Sequence, residues 1–132
     1  MTRIPLHPFL VHFPIAFFFL ELVCLVFWAR KKDAAYERFA RFAFTAGFLF
    51  LIAAMAVGWI DAGGFGAMGG SARRHFYGAC SVFIFYALRA VHLKTRRAVD
   101  GQGPKVFRIA GAAMGNLLIF LTAYWGGILV YA

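Results

Sequence analysis

PFLVHFPIAFFFLELVCLVFW, residues Pro8 to Trp28, is an apolar run interrupted by His12 and Glu21 and closed by Arg30, Lys31 and Lys32. Its length matches the roughly twenty residues that an α-helix needs to cross about 30 Å of hydrocarbon. Three more such runs follow, at about Phe39 to Ile60, Phe76 to Leu93 and Val106 to Tyr131. In lipid the backbone must satisfy its own hydrogen bonds, and the many short alternating strands of a closed barrel are missing, so each run reads as a helix. Short connections favour antiparallel neighbours. The expected fold is all-α: an up-down-up-down bundle of four transmembrane helices, one domain over residues 1–132.

Composition agrees with that reading. The chain is 63% apolar and 14% charged, with 17 Phe and 3 Trp, whereas an ordinary soluble domain is about 45–50% apolar and about 25% charged. Its mean hydropathy is +0.75. A net charge of +9 raises the question of nucleic acid, but the basic residues fall in short runs between apolar stretches and not along one face. The partner expected from composition is the lipid bilayer, with no nucleic acid. Cys24 and Cys80 each lie inside an apolar run without a second thiol nearby, and read as small buried hydrophobes. No small-residue cleavage site follows the first run, so that helix is expected to stay in the mature protein.

Lys and Arg set the orientation. Arg30, Lys31, Lys32, Arg38 and Arg41 flank the first connection; Lys94, Arg96, Arg97, Lys105 and Arg108 flank the third, with Arg89 just before it. Only Arg3, Arg73 and Arg74 belong to the opposite side. That excess is a positive-inside signal. It places both termini away from the cytoplasm, which in a bacterium means a multi-pass protein of the inner membrane with periplasmic ends. Tyr124, Trp125 and Tyr131 at one end, and Trp28 at the other, fit interfacial aromatic belts. The Gly-rich stretch from Asp61 to Ser71 reads as a flexible linker or as a loop that lets backbone approach a cofactor or partner. No other repeat or low-complexity tract stands out.

Polar groups near the membrane are costly and ask for a reason. His7 and His12 bracket the entry to the first helix, where Pro14 should bend or loosen the chain around His12. Asp61 ends the second helix, and Arg73, Arg74 and His75 open the third. An antiparallel bundle brings all of them to one rim. His12 and His75 are candidate axial ligands of haem b, with Arg73 and Arg74 near its propionates and Ala79, Val82 and Tyr86 lining the macrocycle. His7, His12, His75 and Asp61 are alternatively candidate ligands of zinc, copper or iron. The bland alternative is hydrogen bonding to carbonyls or to Asp61. His92 lies at the other end and reads as interfacial, or as a contact to a second haem or a quinone there. Glu21 sits mid-helix, nearly opposite His12, and is expected to pair with a polar group such as Asn116 or Thr45, to meet a second protein, or to take part in proton transfer. Gly111 and Gly115 form a small-xxx-small pattern suited to close helix packing.

The stretch His7-Pro8 through Val11-His12-Phe13-Pro14-Ile15-Ala16 resembles the opening of a bacterial membrane-protein family catalogued as domain of unknown function 2231. That family shows an HP-x-x-VHFPIA pattern, a Gly and an Asp near the end of its second helix, and a His opening its third. Gly58-Trp59-Ile60-Asp61 and His75 occupy those places. An Asn that often follows the third-helix His is replaced by Phe76. The resemblance implies a four-helix membrane fold and a place beside respiratory electron carriers.

Two functions are therefore expected to compete. One is a small b-type cytochrome or haem-bearing subunit that transfers electrons near the outer leaflet, with membrane or periplasmic partners of an electron-transfer complex. The other is a non-catalytic accessory subunit that binds and stabilises a larger membrane complex, with Glu21 and the Phe-rich outer faces as contact surface. Transport is disfavoured because duplicated halves are not evident. No catalytic constellation points to independent enzymatic activity.

Overall fold

A computed structural model describes residues 6–100 and 105–131, without the side chains of 65, 96–100 and 129–131. Arg3 and the side chains of Arg96, Arg97 and Tyr131 lie outside the described residues. The chain forms α1 (Leu6–Leu10), α2 (His12–Lys31), α3 (Ala34–Asp61), a 3-10 turn (Phe65–Ala67), α4 (Gly70–Asp100) and α5 (Lys105–Tyr131). α1 and α2 make one span, Leu6–Lys31, so four segments are long and apolar enough to cross a membrane. The break at Val11 falls just ahead of Pro14, which has no N–H to give to the carbonyl of Leu10.

The helices overrun the apolar runs that announce them, because each added turn closes a backbone hydrogen bond at little cost once the helix exists. α4 starts at Gly70, well before Phe76, and takes Arg73, Arg74 and His75 into its first turns. The connection between α2 and α3 is two residues long. Lys32 adopts φ 57° and gives its N–H to Trp28 O at 2.9 Å, and Asp33 caps α3 by accepting from Ala35 N at 2.8 Å. In the Gly-rich connection Gly63 and Gly64 take φ of 69° and 84°, and Met68 is buried. Positive φ there explains those two glycines.

Large apolar side chains point outward, among them Phe39, Phe42, Leu49, Ile84, Leu88 and Phe107, as lipid requires. The interior is thin and centred on Phe18 and Tyr86, whose rings stack at 3.6 Å, with Leu51, Val82 and Ile119 around them. Nearer the basic end a second layer joins Cys24, Leu25, Trp28, Ala40 and Ala112. Trp28 is buried beneath Lys105 and Arg108, at 4.5 and 4.9 Å from its ring. It packs the bundle and does not belong to an interfacial belt.

α2 packs along α3, α4 along α5, and α2 also along α5, whereas α3 and α4 barely meet. Ala112 and Asn116 let α2 approach α5, and Asn116 Nδ2 donates to Phe18 O at 3.1 Å. Between α3 and α4 stand Phe44 and Phe48, the latter stacked on Phe83 at 5.7 Å. Ring thickness holds those helices apart.

Candidate functional site

At the rim that carries Leu6 and the 62–69 connection, α1 presents His7 and α4 presents His75. Their rings meet edge to face with centroids 5.9 Å apart. Each ring is anchored in the same way. His7 Nδ1 lies 2.9 Å from Ala54 O on α3, and His75 Nδ1 lies 3.0 Å from Thr122 O on α5. A carbonyl only accepts, so Nδ1 carries the proton in both rings and the lone pair of the neutral imidazole falls to Nε2.

Glycine makes both anchors possible. A Cβ on Gly58 would stand 2.6 Å from His7 Nδ1, and one on Gly126 would stand 2.9 Å from His75 Cε1. Asp61 completes the first anchor by accepting from the backbone N–H of His7 at 3.3 Å. It holds the backbone of His7 in place.

The other residues singled out in the sequence are placed as follows. His12 is exposed at the start of α2, and it is His7 whose ring meets His75. Among the described residues no three His, Cys, Asp or Glu side chains converge. Arg73 and Arg74 are exposed in the first turns of α4, beside His75. Val82 and Tyr86 are packed into the core against Phe18. His92 is exposed at the basic end.

Deeper in the bundle Glu21 is 2% exposed, and its carboxylate takes both arms of Arg89: Nη1 to Oε2 at 2.8 Å and Nη2 to Oε1 at 2.7 Å. Bidentate pairing of this kind satisfies both charges away from water. Arg89 also gives Nη2 to Arg108 O at 3.3 Å and lies over Phe44 at 5.2 Å. The expected partners of Glu21 are engaged elsewhere. Asn116 Nδ2 bonds Phe18 O and Ala112 O, and Thr45 donates to Arg41 O. Glu21 does point away from exposed His12, as its spacing implied. Arg89, read from the sequence as a cation next to a loop, is a buried mid-span partner. Its signal was present: Arg89 follows His75 by the same interval by which Glu21 follows His7.

A second ion-pair cluster lies at the basic end, where Glu37 receives Arg108 at 2.9 Å and Arg41 at 3.2 Å. Gly111 and Gly115 serve close packing as expected. A Cβ on Gly111 would stand 3.0 Å from Arg89 Nε, and one on Gly115 would collide with the hydroxyl of Tyr86.

Residues 3–132 fit the family described as predicted membrane protein (DUF2231), and the chain belongs to that family. No curated protein and no solved structure matches the chain.

Proposed function

We propose that this member of the DUF2231 family is a small redox subunit that holds a transition metal, foremost haem iron, between His7 and His75. The observation that carries the reading is the matched anchoring of the two imidazoles through Nδ1, which leaves both Nε2 atoms as ligands. The ring centroids stand 5.9 Å apart. Held by His7 and His75, haem iron would supply one-electron transfer chemistry.

The chain's own residues would divide the task. Ala54 O and Thr122 O orient the rings, Gly58 and Gly126 give them room, and Asp61 steadies the segment bearing His7. Arg73 and Arg74, exposed beside His75, are placed to pair with carboxylates at the rim. With the core closed by Phe18 and Tyr86, a bound group would sit at that rim. The positive-inside bias would turn it to the periplasmic face of a bacterial inner membrane, within reach of membrane or periplasmic partners of an electron-transfer complex.

Protein purified in mild detergent from haem-replete cells should show a Soret band that is lost in His7→Ala and in His75→Ala and kept in His12→Ala. Colourless protein free of transition metal would end the proposal. Loss of the band in His12→Ala with retention in His7→Ala would move the ligand pair to the positions first read from the sequence. Glu21, one contact residue of the competing accessory-subunit reading, is paired with Arg89 inside the bundle, and that reading rests on the Phe-rich outer faces, which copurification of stoichiometric partners from native membranes would test.

A further inference from the structure

Glu21 and Arg89 are 68 positions apart. So are His7 and His75, and so are Phe18 and Tyr86, and each residue touches its counterpart. The same interval carries Ala54 onto Thr122 and Gly58 onto Gly126, the carbonyls and glycines that seat the two histidines. It carries Gly47 onto Gly115 as well; a Cβ would meet the Phe18 ring at the first and the Tyr86 ring at the second. In the sequence one register, with no insertion or deletion, aligns residues 7–60 with 75–128 and pairs Phe17 with Phe85, Leu25 with Leu93, Phe39 with Phe107 and Leu49 with Leu117. Sequence inspection misses this repeat because most interior and lipid-facing positions accept any apolar side chain, so identities stay sparse.

A residue in contact with its own equivalent marks a twofold interface. Both hairpins leave the same rim, and the contacting pairs succeed one another from rim to basic end, so the axis runs along the bundle. We infer that the chain is two copies of one helical hairpin docked across a pseudo-twofold axis, and that the buried Glu21–Arg89 pair makes each copy select the other.

The copies differ where their packing differs. Phe44 and Phe48 on α3 correspond to Ala112 and Asn116 on α5, which is why α2 and α5 close together while α3 and α4 do not. Phe13 stacks on Phe50 at 4.7 Å, and their equivalents Ser81 and Leu118 instead line an open groove of about 330 Å³ on the second hairpin. On the axis itself the copies differ in charge. A self-complementary face can pair with its like in another chain. Glu facing Glu, or Arg facing Arg, would bury like charges in hydrocarbon, and only the mixed pair closes.

Charge exchange in the full-length chain tests this, with the yield of monodisperse monomer in mild detergent as readout and no bound metal required. Glu21→Arg and Arg89→Glu singly should each cut that yield at least about tenfold, since each strands like charges in the core. The double exchange should recover much of it. Equivalence makes a sharper demand. Arg89 has room because position 111 is glycine, and the equivalent position is Ala43, which is fully buried. Adding Ala43→Gly should therefore raise the yield of the double exchange, while Ala43→Gly alone should lower that of the parent chain. A double exchange no better than the singles, or one that Ala43→Gly does not improve, would overturn the inference.

Discussion

Glu21 and Arg89 lie on different membrane-spanning helices and form two hydrogen bonds of 2.8 and 2.7 Å, with both side chains almost wholly buried. Removing one partner leaves an unpaired charge at a depth where water cannot help, at a cost of about 3–5 kcal/mol. Replacing both by apolar residues removes the desolvation cost as well. Arg89→Leu and Glu21→Leu should each lower the thermal midpoint in detergent sharply, and the double leucine variant should be more stable than either. A double variant worse than both singles would show that the pair contributes net stability of its own.

Gly58 and Gly126 should be equally intolerant of a methyl group. Each Cβ would fall within 3 Å of its histidine ring, and overpacking of this kind costs about 1–3 kcal/mol. Gly58→Ala and Gly126→Ala are expected to lose similar stability, and each should weaken metal or haem retention by displacing its own imidazole. Differential scanning of the two variants, with a pigment spectrum beside it, checks both effects. Indifference at either position would detach that glycine from the anchor.

The Tyr86 hydroxyl is buried with no hydrogen-bond partner among the described residues. An orphan of this kind is a burden of about 1–3 kcal/mol, and Phe18 shows that a phenyl ring serves at the equivalent place. Tyr86→Phe should leave the thermal midpoint unchanged or raise it. A fall of several degrees would reveal a partner for the hydroxyl, such as an ordered water.

Orientation is open to a labelling test. With Cys24 and Cys80 replaced, a non-permeant thiol reagent applied from the periplasmic side should modify a cysteine at exposed position 73 and spare one at exposed position 32. The reverse pattern would turn the histidine rim toward the cytoplasm.

The number of spans, their antiparallel order and the gathering of His7, His12, Asp61, Arg73, Arg74 and His75 at one rim are all legible in the chain itself. They follow from run length, short connections and the backbone's need to bond internally, which are local quantities. Which histidine meets His75, and which cation meets Glu21, are not local. Each residue turns a helix by about 100° and advances it about 1.5 Å, so a partner across the bundle depends on how two helices are rotated and slid against each other. Here a break at Val11, glycines at 58 and 126 that admit imidazole, and rings at 44 and 48 that hold α3 from α4 set those offsets. Tertiary packing alone chose His7 over His12 and brought Arg89 to Glu21.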